Sequence, residues 1–220
     1  MTFRGFPDEA LAFFAGLEAD NSKVYWQANK ATYDAAVRGP LDALLAELGP
    51  EFGEGSVFRP YRDVRFSKDK TPYKTHVGAV VGRTGASIRY VQLSADGLMA
   101  AAGLYAPAAD QLARQRDAIA DDRTGSEIAA VTERLAKAGY EIGADPLRTA
   151  PRGYPRDHPR IDLLRLRHLV GVRRWEPARW LGTAAAKQRV ADAWRELEPL
   201  NAWLEDHVGV SQLPPDAGRR

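Results

Sequence analysis

The spacing of apolar and polar positions divides the chain into a helical beginning, a strand-rich middle and a helical end. Pro7-Asp-Glu9 opens a helix, and Leu11, Phe14 and Leu17 give it an apolar stripe through about Ala19. Asp20-Asn-Ser22 ends that helix and caps a second over about Lys23 to Arg38, which carries Tyr25, Trp26, Asn29 and Tyr33. Gly39-Pro40 reads as a stop, and a third short helix reaches Leu48. From Phe58 the period changes to two. Phe58, Val64 and Phe66 fall on one face of an extended strand, with Arg59, Tyr61, Asp63, Arg65 and Ser67 on the other. Arg62 shares the apolar face, where a guanidinium needs a carboxylate or carbonyls for its donors.

Val77 to Val81, Ile88 to Leu93 and Leu98 to Tyr105 follow as strands, separated by Gly82-Arg-Thr-Gly85 and Ser94-Ala-Asp-Gly97. With the basic strand they predict a four-strand antiparallel meander. Pro107 to Asp121 and Gly125 to Lys137 predict helices, the latter closed by Gly139, and Pro/Arg-rich irregular chain runs from Pro146 to Pro159. A short helix around Asp162 to Arg167 leads into a strand over His168 to Arg173. The C-terminal helix starts near Thr183 with Val190, Trp194 and Leu197 on one stripe, and Pro199 kinks or restarts it. There is no internal repeat and no low-complexity linker. The pattern predicts a single α+β domain over residues 1–210: an antiparallel β-meander sheet packed with N-terminal and C-terminal helices, followed by a flexible tail at 211–220.

A chain of 220 residues, 45% hydrophobic, is large enough to bury a core. It has no cysteine, which removes disulfides, thiolate catalysis, iron–sulfur clusters and Cys-based zinc sites. The longest mostly apolar run, Gly97 to Ala109, is too short for a membrane span. No leader pattern opens the chain, so a cytoplasmic protein without a membrane partner is expected. The formal charge of +2 hides an asymmetry. Residues 59–76 carry six Arg/Lys against two Asp, and residues 148–174 carry eight Arg against Asp157 and Asp162, so the rest of the chain is net acidic. If the two stretches fold together they make a basic cleft suited to an anionic ligand bearing phosphate or carboxylate.

The loop Ser67 to Lys74 offers three ammonium groups, two hydroxyls and a phenol over eight positions, and Thr71 before Pro72 must be extended, which stiffens it. The ligand-binding candidates are therefore Arg62, Arg65, Ser67, Lys68, Lys70, Tyr73 and Lys74, joined by Arg152 and Gly153, where a glycine lets backbone approach a ligand. In the alternative, Asp63 and Asp69 clamp neighbouring cations and the motif is a structural ion-pair network in an interaction or scaffold protein. A phosphoester-processing enzyme would draw on Asp63, Asp69 or His158 as acid, base or metal ligand. No cofactor is evident, and magnesium enters only together with a phosphorylated ligand. The four histidines lack metal-site spacing, so no dedicated metal site is expected. The Arg-rich stretch and the aromatic row Tyr25, Trp26, Tyr33 keep nucleic acid open as a partner beside an anionic small molecule, although that row reads first as core.

Arg62-Asp-Val-Arg-Phe-Ser-Lys-Asp-Lys-Thr-Pro-Tyr-Lys74, preceded by Asn21 and Trp26 and followed by Ala150-Pro-Arg-Gly153 and Asp157-His-Pro159, resembles domain-of-unknown-function family 2461 over about residues 3–210. Members usually show a doubled Asn and a Trp-Phe pair in the first element, where this chain has Asp20-Asn21 and Trp26-Gln27. The resemblance implies a single cytosolic α+β domain. It supplies no established substrate, cofactor or catalytic residues.

Overall fold

The computed structural model describes residues 2–65, 69–82 and 85–214. The fold is α+β. Helices α1 (Asp8–Ala19), α2 (Lys23–Thr32) and α3 (Gly39–Phe52) come first, then strands β1 (Gly55–Val57), β2 (His76–Val81), β3 (Ile88–Ser94) and β4 (Gly97–Leu104). Next are α4 (Ala109–Ala120), α5 (Asp122–Lys137), β5 (Glu141–Ala144), α6 (Ile161–Arg165) and β6 (His168–Trp175). Two helices, α7 (Ala185–Glu196) and α8 (Glu198–His207), end the chain. The strands form one antiparallel sheet in the order β1-β2-β3-β4-β6-β5. Among the described residues no helix is long and apolar enough to cross a membrane.

The predicted meander is present, with edges that differ from expectation. The basic segment is not a regular strand. β1 precedes it, pairing Val57 with Ala79, and beyond Phe58 the described residues of the segment carry an isolated bridge, Tyr61↔Tyr73, in place of a ladder. Pro60 and Pro72 supply no backbone N–H, so each offers only its carbonyl: Lys74 N–H donates to Pro60 and Arg62 N–H to Pro72. Phe66 and Ser67 lie outside the described residues. At the other edge β5, four residues that the sequence reading left unassigned, pairs with β6, with a bulge between Ile142 and Ala144.

Gly39-Pro40 does not stop the second helix. The backbone passes through a π turn over Tyr33–Arg38, where the Gly39 N–H reaches back five residues to Asp34, and Pro40 sits in the first turn of α3, where no N–H is needed. α3 then runs past Leu48 to Phe52. Asp121 caps α5, accepting from Arg123 and Thr124, so that helix begins before Gly125. Pro199 occupies the first turn of α8, a restart rather than a kink. The expected tail is tied down where it starts: Asp110 accepts from Ser211 Oγ and the Gln212 N–H, both at 2.8 Å, while 215–220 lie outside the described residues.

The chain divides into two compact units, Met1–Gly82 with Tyr90–Ala100 and Arg174–Ala193, and Arg83–Arg89 with Ala101–Arg173 and Trp194–Arg220. The first buries Phe6, Phe14, Leu17, Leu41 and Leu44; the second buries Ile119, Ile128, Leu164, Leu169 and Trp194. In the second, Trp203 Nε1 donates to the Thr124 carbonyl, and Glu205 holds the Ala86 and Ser87 N–H groups at 2.7 and 2.8 Å.

Gly103 shows how tightly that unit is closed. Its φ of 132° suits only glycine, and a Cβ there would stand 2.3 Å from the Leu169 carbonyl oxygen, which is backbone and cannot rotate aside. Gly103→Ala is expected to cost about 2–3 kcal/mol of unfolding free energy, measured by urea denaturation. A midpoint equal to wild type would show that β4 and β6 are free to separate.

Candidate anion-binding face

Local backbone parity positions the candidate residues. Chain 58–62 runs against 72–78, closed by Phe58 N–H to Gly78 O, Lys74 N–H to Pro60 O and Arg62 N–H to Pro72 O. Side chains alternate sides along such a ribbon, so Tyr61 and Tyr73 share one side while Phe58, Arg62, Lys74 and His76 share the other. The tyrosine side meets the first helices. The Tyr73 ring, 5% exposed, stacks on Trp26 at 4.5 Å with an 8° interplanar angle, and Tyr61 lies 6.1 Å from the same indole. Phe13 and Tyr33 close the cluster at 5.8 and 4.9 Å from Trp26. Asn21 fixes the register: its Nδ2 donates to the Tyr73 carbonyl and its Oδ1 accepts the Tyr73 N–H, both at 3.0 Å. Trp26 and Tyr33 are therefore core, as first read, and Tyr25 anchors to the Phe13 carbonyl through its hydroxyl.

The loop between the ribbon arms is stapled from within. Arg62 Nη1 donates to Asp69 Oδ2 at 2.6 Å and to Thr71 Oγ1 at 2.8 Å, which supplies the carboxylate that its position demands. Arg65 binds Asp63 in bidentate fashion at 3.0 and 2.7 Å, and Lys70 donates to the Val64 carbonyl. Hydrogen bonds from Arg65 hold the Asp63 carboxyl down at about 2, and the Thr71 N–H and hydroxyl, with Arg62 adding its charge, lower that of Asp69. Both are carboxylates at neutral pH with neighbours already in place. Ser67 and Lys68, two further candidates, lie outside the described residues.

Lys74 and His76 differ from these. Lys74 is half-buried with its Nζ 5.3 Å from the centre of the Phe58 ring, and burial followed by the charge of Arg59 lowers its pKa. Burial, then the charges of Lys74 and Arg62, lower the His76 pKa. Among the described residues neither has an ion-pair partner. The face they share continues across the sheet. A Cβ on Gly78 would fall 2.2 Å from the Tyr90 hydroxyl, so that glycine makes room for the Tyr90 ring, which lies 6.3 Å from Phe58. Tyr90 donates to Gln92 Oε1 at 2.8 Å, and the two-residue turn between β3 and β4 sets Gln92 opposite Met99. A half-exposed strip of Phe58, Tyr90, Gln92 and Met99 results, with cations at the Phe58 end.

Sequence reading picked out Lys74 and Arg62 on this face but passed over Phe58, His76 and Tyr90 as ligand contacts. The alternation of Lys74 with His76 was the available signal. Tyr73, by contrast, has its ring committed to Trp26.

The Arg152 and His158 candidates belong to the other unit. Gly153 has φ 92° with open space where a Cβ would stand, so the turn rather than a close neighbour requires glycine, and Arg152 beside it is exposed. His158 Nδ1 accepts the Arg160 N–H at 3.0 Å, closing a local turn without Asp157. Among the described residues no three His, Asp or Glu side chains gather as a metal ion would need.

The family model described as "Conserved hypothetical protein (DUF2461)" matches residues 9–203. No curated protein and no solved structure matches the chain.

The electrostatics of the face can be read directly. His76 should titrate below the ordinary histidine value of 6.5, because burial disfavours its charged form and protonation adds charge beside Lys74 and Arg62. Lys74→Gln removes one of those charges, so the His76 pKa should rise in an NMR titration of its ring protons. An unchanged or lower value in the variant would mean that the two side chains do not share a face.

Proposed function

The chain belongs to the DUF2461 family, and for this member we propose that the Phe58–Lys74–His76–Tyr90 face binds an anionic small molecule that joins a phosphate or carboxylate to a flat apolar group. One observation carries the reading: Lys74 and His76 stand side by side, half-buried and pushed toward their neutral forms by burial and like charge, and among the described residues no carboxylate is set against them. A bound anion would relieve that repulsion and favour both charged forms. Phe58 and Tyr90 add aromatic area next to the charge, which would recognise the apolar part of the ligand.

Internal ion pairs account for Arg62 and Arg65, and the Val64 carbonyl accounts for Lys70, as a scaffold network would, which leaves Lys74 over. Asp63 and Asp69 are committed to loop contacts, which favours binding over acid–base chemistry at this face. Neither carboxylate is presented alone to a magnesium ion.

Titration with inorganic phosphate, followed through the His76 ring resonances, tests the proposal. Binding should raise the His76 pKa and should tighten as pH falls through it. Phenyl phosphate should bind more tightly than inorganic phosphate, and Lys74→Gln should weaken both about fivefold or more with the melting temperature near wild type. If neither anion moves the His76 resonances, or if Lys74→Gln leaves the affinities unchanged, the face is not an anion site.

A further inference from the structure

In the second unit the arginines of the 146–165 stretch divide into two sets. Arg165 and Arg160 are spent on the fold. Arg165 holds both the Leu147 and Arg148 carbonyls through Nε and Nη2 at 2.6 and 3.0 Å, and the Leu147 N–H returns to the Arg165 carbonyl. Arg160, with its side chain 11% exposed, caps the end of α4 by donating to the Ile119, Ala120 and Asp121 carbonyls. Pro151 is buried, the Tyr154 hydroxyl reaches Asp117 at 2.7 Å, and the Tyr154 and His158 N–H groups close turns onto Pro151 and Pro155. The loop is thus anchored at both ends and stiffened by four prolines.

The other set, Arg148, Arg152 and Arg156, recurs every fourth residue, is exposed, and among the described residues makes no side-chain hydrogen bond or ion pair. Neighbouring acids do not cancel it. Asp145 is paired with Arg167, Asp162 lies 3.8 Å from Arg165, and Asp157 alone stands exposed within the row.

At the foot of the loop lies an aromatic platform. Tyr105 is 63% exposed, and its ring stacks on His168 at 4.8 Å and 21°. His168 pairs across the sheet with Ala144, next to Asp145, the residue at which the loop departs. The Ala106 N–H donates to His168 Nδ1 at 2.8 Å, which fixes the imidazole beneath the phenol. Ala106 and Asp145, on either side of this stack, both adopt the left-handed conformation at φ 51° and 50°, which non-glycine residues rarely hold without a reason.

We propose that this unit binds single-stranded nucleic acid, with a base stacked on Tyr105 over His168 and the flanking phosphates held by Arg148, Arg152 and Arg156. Guanidinium forks match phosphate oxygens, and a flat exposed ring takes a base of any identity. An acidic protein would instead need an apolar anchor. No large hydrophobic residue of 146–160 is exposed to provide one.

Fluorescence anisotropy with a labelled oligouridine of about 12 nucleotides, a length within the range of single-strand sites, tests this on the full chain. Wild type should bind with salt-dependent affinity. The R148E/R152E/R156E variant should bind at least about tenfold more weakly, with the slope of log affinity against log salt reduced by about two, as expected for three lost phosphate contacts. Tyr105→Ala should lose about fivefold to a hundredfold at unchanged slope. Both variants should keep the wild-type circular dichroism spectrum and melting temperature, since none of these side chains holds the loop. Absence of salt-dependent binding by wild type, or wild-type affinity in the triple variant, would overturn the proposal. Lys74→Gln should leave oligonucleotide affinity unchanged, so this proposal and the anion-binding face fail independently.

Discussion

One side-chain amide organises the first unit. Asn21 presents both an acceptor and a donor to the backbone of Tyr73, as a neighbouring strand would, at the corner between α1 and α2. The ribbon there has few bonds of its own, because Pro60 and Pro72 each remove a donor. Anchoring Tyr73 lays its ring on Trp26. Alternation then leaves Lys74 and His76 no choice of side. A slip of one residue would send the cations into the aromatic cluster and the tyrosines to solvent, which neither desolvation nor packing permits. The position of the two half-buried cationic groups is thus a consequence of a buried aromatic stack, and the two are linked by a single asparagine.

Much of this was legible from the sequence. The meander, the capping of α2 at Ser22 and the need of Arg62 for a carboxylate all follow from local pattern, and each is present. What escaped were features that depend on distant partners. Four residues at Glu141–Ala144 become a strand because β6 offers an edge to pair with, and nothing in their own composition demands it. Gly39-Pro40 has the form of a helix stop, yet a π turn ahead of it lets the chain continue, since proline costs nothing in a first turn. Alternation separates Phe58 and Arg62 from Tyr61 as expected, but the face of Phe58 is not the buried one: Phe58 is exposed, Tyr61 lies half-exposed against Trp26, and the buried ring is that of Tyr73.

Charge was the least legible property. By count, the residues from Arg148 onward look uniformly basic, but the hydrogen-bond partners separate arginines that complete backbone from arginines that face water. Arg160 closes three carbonyls at a helix end, and Arg165, the last residue of α6, holds two carbonyls at the start of the loop. Those roles need the length and forked donors of arginine, and no linear rule marks which arginine will reach a distant carbonyl. The same division separates Arg65, bound to Asp63, from Lys74, which among the described residues has no acidic partner.

The two units retain different unfavourable terms, and the kind of cost points to the kind of use. In the first, partial burial and like charge disfavour the charged forms of Lys74 and His76, a cost that a suitably placed anion would reduce, so on the proposed reading binding and stability would be linked through the same protons. In the second, Ala106 and Asp145 hold left-handed backbone beside an exposed stacked ring, at about 1 kcal/mol or more each. Backbone strain is not relieved by charge neutralisation; it persists only because the surrounding contacts over-determine it, here the Ala106 bond to His168 and the Asp145 pair with Arg167. Repulsion that a ligand can cancel fits a site awaiting an ion, whereas strain that holds a ring rigid in solvent fits a surface prepared for stacking.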